Sequence, residues 1–213
     1  MTMTVLENPA TTLNRRDEIP NRDLALRIIQ ENNTEAARQL VDYLLTGNRN
    51  IQADCIKVLC EIGERNPDLI ADYHAELGTF LESRNNRMVW GAMATLDTIA
   101  LSRPKEIHAM LPRIIAAAKS GTVITRDHAV GIMTKLGTLK RYANDCIPPL
   151  IEQLTTCPTN QFPMYAEKSL AVITGANREI FRNTFTGRLD DLRTESQRKR
   201  VLKVLKRIND GGK

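Results

Sequence analysis

The stretch "AMATLDTI", Ala92–Ile99, sets the fold, because it recurs. A step of 37 residues in either direction meets "CIKVLCEI" at Cys55–Ile62 and "AVGIMTKL" at Ala129–Leu136. A further step meets "AEKSLAVI" at Ala166–Ile173. Each copy opens on a small residue: Cys55, Ala92, Ala129 or Ala166. Four positions on stand Leu59, Leu96, Met133 and Leu170, and three beyond those Ile62, Ile99, Leu136 and Ile173. A fifth copy, Val201, Leu205 and Ile208, follows after a step of 35. Offsets of four and seven lie on one face of an α-helix. The small residue admits a neighbouring helix, and the two large ones fill the space beneath.

Each of these helices is preceded by another. The spacing predicts pairs at about 34–46 and 50–65, 67–83 and 87–102, 104–119 and 124–139, 142–155 and 162–175, and 177–192 and 195–209. An extra helix at 21–31 precedes the first pair. Pro67 and Pro104 are also 37 apart and fall where a first helix begins, a position that tolerates proline. Pro112 in "AMLPRIIAAA" and Pro149 in "DCIPPLIEQL" share that interval but fall inside first helices. There proline removes a hydrogen bond and costs about 3 kcal/mol. Each is expected to kink its helix over the partner, a cost that recurs because the geometry recurs.

Fixed-period self-similarity marks repeat architectures. With first helices such as "MLPRII" and "CIPPLI", and the second-helix stretch "TRDHAVGIM" carrying Arg126, Ala129 and Met133, the chain resembles HEAT-repeat proteins of the armadillo-type helical superfamily. Gln52, Val89 and Pro163 depart from that scheme at the arginine. The resemblance implies an all-α fold: a right-handed α-α superhelix, or solenoid, of about five HEAT-like helix pairs with N-terminal and C-terminal capping helices. The division expected is a flexible polar arm at 1–20, one solenoid domain at 21–209 and a flexible tail at 210–213. The resemblance further implies a scaffold or adaptor binding another protein through its concave face.

Composition agrees. Aromatic residues make up 4% and apolar residues 42%, a balance suited to packed helices. No apolar run approaches membrane length, and the N-terminus lacks the pattern of a secretory signal. Cys55, Cys60, Cys146 and Cys157 form no CxxC pair and read as reduced thiols packed as small hydrophobes. A cytoplasmic location follows as an expectation. His74, His108 and His128 fall in different repeats, and no metalloprotease, nucleophile-elbow, P-loop or zinc spacing occurs. The chain therefore reads as non-enzymatic, with no metal, no cofactor and no evident small-molecule substrate.

Two surfaces remain for binding. On the second helices, offsets −1, +2, +6 and +9 from the small residue are expected to face solvent. They supply Asp54, Lys57, Glu61 and Glu64, then Gly91, Ala94, Thr98 and Leu101. His128, Gly131, Lys135 and Thr138 follow, then Tyr165, Lys168, Val172 and Gly175. Trp90, the one tryptophan, stands at offset −2, at the edge of the buried arc, and aromatic anchors are favoured at interfaces. This mixed face suits a protein segment better than a phosphate backbone.

The second surface is the C-terminal helix. The net charge of +5 belongs to residues 188–213, where nine Lys/Arg face four Asp/Glu. Arg198, Lys199, Lys203, Lys206 and Arg207 line its outer side. A basic cluster attracts nucleic acid, so a nucleic-acid-binding solenoid is the alternative function. A HEAT-like DNA glycosylase is the third; it would need a basic face with a central carboxylate and aromatics.

Overall fold

The computed structural model describes Val5, residues 9–13 and residues 17–210. The tail expected at 210–213, after Asp210, and residues 1–4, 6–8 and 14–16 of the expected arm lie outside the described residues. Among the described residues the fold is helical, with no strand. The chain divides into two compact units, Met1–Ala129 and Val130–Lys213.

The first unit begins with α1 (Ile19–Gln30), α2 (Thr34–Thr46) and α3 (Arg49–Arg65). Asn33 caps α2 by accepting the Ala36 N–H, and Asn48 caps α3 by accepting from Asn50 and Ile51. α3 packs against α1, α2 and α5 (Asn86–Ile99), so it is covered on three sides. Between α3 and α5 the expected helix at 67–83 is broken. It consists of 3-10 turns at Pro67–Leu69, Ala71–Tyr73 and Thr79–Glu82 around the short α4 (His74–Gly78). Pro67 does open that segment, as Pro104 opens α6 (Pro104–Ala109).

Pro112 does not kink a continuous helix. α6 ends at Ala109, Met110 adopts φ −88° and ψ −2°, and α7 (Leu111–Ser120) restarts with Pro112 in its first turn. There the missing N–H would have had no intrahelical partner. α8 (Val123–Gly137) follows, and the boundary between the units falls within it.

In the second unit α9 (Ala143–Thr156) keeps both Pro148 and Pro149 in its interior. The sites 37 apart therefore differ: one splits its helix and the other does not. α10 (Phe162–Ser169) is shorter than expected. A 3-10 turn, Leu170–Val172, ends it, and Ile173 is extended. α11 (Arg178–Gly187) packs on α9, and α12 (Glu195–Asp210) packs on α10 and α11.

The 37-residue register holds in the core. Cys55, Ala92, Ala129, Ala166, Leu59, Leu96, Ile62, Ile99 and Leu136 have no exposed surface, and Met133 has 1%. Leu170 and Ile173 are only half-buried, because the helix has ended before them. Val201, Leu205 and Ile208 of the fifth copy are buried as expected.

Candidate functional site

Several residues expected on the open face of the second helices are covered. Asp54 is 5% exposed; its carboxylate accepts the Thr11 N–H at 2.9 Å and the Asn21 Nδ2 at 2.9 Å. Asn21 in turn accepts the Ala10 N–H at 3.0 Å. Part of the segment read as a flexible arm is thus packed, and Val5 has no exposed surface. Glu61 is also 5% exposed, held by Lys57 at 2.9 Å and Arg65 at 2.7 Å. Burial alone would raise the Glu61 pKa, but these two hydrogen bonds outweigh it and hold the carboxyl below its ordinary value.

Gly91 and Ala94 are buried, because α5 approaches α3 so closely that a Cβ on Gly91 would meet Ile56 at 2.7 Å. Gly131, Tyr165 and Val172 are buried too. Lys57, Thr98, His128, Lys135 and Lys168 are half-buried, and Leu101 is exposed. α3, packed against α1, α2 and α5, keeps only a narrow open strip, with Asp54 at offset −1 and Glu61 at offset +6 buried at its walls.

In the first unit the strip that remains at least half-open follows offsets +5 and +9 on α3 and −5, −2, +5 and +9 from Ala92, steps of three to seven residues that stay on one helical face. It presents the half-buried Cys60 and the exposed Glu64 on α3, then the exposed Arg87 and the half-buried Trp90 and Asp97 on α5, and the exposed Leu101 just after it. Asp127 and His128 of α8 follow. His128 Nδ1 lies 2.9 Å from Asp97 Oδ2, joining α8 to α5. Glu18 comes within 3.8 Å of Arg87. Cys60, Asp97, Arg87 and Asp127 were missed by the offset reading; Trp90 had been placed at the edge and is half-buried there.

Burial, reinforced by Glu64, pushes the Cys60 thiol up to about 11, so it is not a thiolate nucleophile at neutral pH. Among the described residues no group of three His, Cys, Asp or Glu is placed to hold a metal ion. No helix among them is long and apolar enough to cross a membrane.

The basic helix is partly neutralised. Arg198 reaches the Leu189 carbonyl at 3.2 Å and Asp190 at 3.5 Å, and Lys199 sits 3.6 Å from Glu195. Arg200, which the outer-side pattern left out, forms a two-pronged pair with Glu167 at 2.8 and 2.6 Å. Lys203, Lys206 and Arg207 are exposed. Sequence spacing placed Arg200 beside Val201; only the packing of α12 on α10 brings it to Glu167.

No protein-family model matches the sequence, and no curated protein sequence is significantly similar to it. Solved structures do share its fold. An engineered protein is 17% identical over 99% of this chain and 98% of its own, with a TM-score of 0.64. A designed armadillo repeat protein in complex with the peptide (KR)4 is 13% identical over 97% of this chain and all of its own, with a TM-score of 0.65. A second designed armadillo repeat protein is 13% identical over 96% of this chain, with a TM-score of 0.61. The fold is therefore that of the armadillo and HEAT-like helical repeats.

Proposed function

We propose that this chain is a non-enzymatic helical-repeat scaffold that binds a segment of another protein. The contact is made by the open strip of the second helices, the face read from sequence as concave. One observation carries the reading. α3, packed on three sides, and the neighbouring α5 leave this strip open, and it holds the half-buried Trp90, the single tryptophan, and about three turns further on the exposed Leu101. Trp90 and Leu101 supply apolar anchors; Glu64, Arg87 and Asp127 supply a charged rim, the usual layout of a protein-binding surface. That a protein of the same fold is seen with a peptide supports the choice of a protein segment over a nucleic acid. The four free cysteines, three of them buried, fit a reducing compartment such as the cytoplasm.

The test uses Trp90 as both anchor and reporter. The whole chain serves as bait for affinity capture with mass spectrometry, and each captured segment is titrated while the single tryptophan emission is followed. Binding should shift that emission, and the Trp90→Ala, Leu101→Asp variant should lose the same segment while keeping its helical circular dichroism. Equal capture by the variant would remove the strip as the binding site. A nucleic acid as the main captured species would replace the protein reading with the alternative.

A further inference from the structure

In the second unit a groove of 720 Å³ opens where α10 stops short. The three second helices before it run further past their small residue. α3 reaches Arg65, α5 reaches Ile99 and α8 reaches Gly137, but α10 ends at Ser169, three residues after Ala166. The absent turn leaves Leu170 and Ile173 half-exposed and sends the chain through an extended stretch to α11. The groove runs between that stretch, the end of α8 and the start of α9. Its apolar surface comes from Ala143, Ile147, Pro148, Val172 and Ala176.

The wall is fixed in place. The Asn177 carboxamide accepts the Thr174 N–H at 2.7 Å and donates to the Val172 carbonyl at 2.9 Å, closing the loop on itself. A preset wall lowers the ordering cost of a ligand. Across the groove Pro148 offers no N–H to the Asn144 carbonyl one turn earlier, so that acceptor has no donor from its usual helical partner. The groove thus combines an apolar floor with a backbone carbonyl that lacks its usual helical donor.

Charge selects the peptide. Among the described residues Lys140 is the one basic side chain lining the groove, it is exposed, and no acidic residue lines it. The unit that holds the groove carries a net charge of the same sign. Residues 130–213 hold fifteen Lys/Arg and eight Asp/Glu, a net of +7, whereas residues 1–129 hold fifteen and seventeen, a net of −2. We infer that this groove is a second binding site, taking an acidic segment of a partner protein that seats one or two apolar side chains between Ile147, Pro148 and Val172 and sets a carboxylate against Lys140.

The test uses the full chain and three fluorescein-labelled peptides read by anisotropy. The probe is Gly-Ser-Glu-Leu-Leu-Glu-Glu; one control replaces its glutamates with lysine, the other its leucines with alanine. The probe should saturate the protein, more weakly as salt rises, and both controls should bind less. Lys140→Glu should weaken the probe by roughly twofold to fivefold, the size expected of one exposed charge pair. Ala176→Trp, which fills the groove from an exposed position, should abolish binding while leaving the circular dichroism unchanged. Trp90→Ala should leave the probe's affinity unchanged, which separates this site from the strip of the first unit. The inference is overturned if the probe fails to saturate at about millimolar protein, or if both groove variants bind like the parent. It is equally overturned if only Lys203→Glu with Lys206→Glu abolishes binding, since the basic helix would then be the site.

Discussion

Replacing Arg188 with alanine should cost the second unit about 3–5 kcal/mol. The residue follows α11, and its side chain is 13% exposed. One guanidinium nitrogen donates to the Leu154 carbonyl at 2.9 Å and the Cys157 carbonyl at 2.8 Å. Leu154 lies in the last turn of α9, whose final carbonyls have no donor within the helix. Nε reaches Asp191 at 3.1 Å, and the cation sits 4.8 Å from the centre of the Phe162 ring at the start of α10. A hydrogen bond from a charged group contributes about 1.5–3 kcal/mol. The cation over the ring adds about 0.5–2 kcal/mol, and the positive charge at a helix C-terminus about 0.3–1 kcal/mol. The Asp191 contact adds little, because Asp191 is 54% exposed. These contributions share one side chain and do not sum; water admitted to the carbonyls recovers part of the loss.

Urea unfolding supplies the assay, with hydrogen exchange to locate the change. Amides of α9, α10 and α11 should lose protection, while those of α2, α3 and α5 keep it. Arg188→Lys should recover about half of the loss, since one ammonium retains the charge but lacks the planar fork. A cycle pairing Arg188→Ala with Phe162→Leu should show coupling of about 0.5–2 kcal/mol. An Arg188→Ala protein with an unchanged midpoint would refute the reasoning, because two buried carbonyls would then have lost their donor at no cost.

Leu96→Ala, at a central site with no exposed surface, should lower stability by about 2–5 kcal/mol, and an unchanged melting temperature would contradict the repeat register. Asp54→Ala removes the acceptor of the Thr11 and Asn21 donors, so limited proteolysis should cut near residues 9–13 faster than in the parent. Glu61 and Glu167 have folded pKa values below the ordinary 4.5, the first through Lys57 and Arg65 against the pull of burial, the second chiefly through Arg200. The stability they contribute is therefore present above pH 4.5 and lost as pH falls through their folded values; a midpoint constant between about pH 6 and 3 would contradict these pairings.

The helical register was legible because it is a property of volume. Cys55, Ala92, Ala129 and Ala166 are small for one reason, the approach of a neighbouring helix, and that reason repeats with the fold. α2 falls at Thr34–Thr46, as the periodicity predicts, because Asn33 announces its start. The prolines were less legible. The 37-residue spacing equates Pro112 with Pro149, but it does not say how each chain segment accommodates its ring. Met110 breaks the helix before Pro112, whereas Ala143–Thr156 carries Pro148 and Pro149 within a continuous helix. Local backbone choices of this kind depend on neighbours that periodicity does not name. The end of α10 belongs with them: Leu170 and Ile173 continue the pattern in sequence after the helix itself has stopped.

The open strip was misread for a related reason, and the error says where function can reside in this fold. A helical wheel divides residues into those facing one partner and those facing water. α3 has three partners, α1, α2 and α5, so the arc left to solvent is narrower than the wheel allows. Asp54 shows the consequence: a carboxylate assigned to solvent from its offset is instead buried, satisfied by two donors from the N-terminal segment and α1. Its polarity serves the packing of the chain on itself. Glu61 does likewise, held between Lys57 and Arg65 on its own helix. Side chains without such internal duties are the ones left open to solvent. On the first unit Leu101 is fully in that class and Trp90 is half-open to it; on the second, Lys140 and the apolar floor beside Pro148 are. Neither Trp90 nor Lys140 belongs to the buried set that defines the repeat, so a repeat pattern alone could not select them.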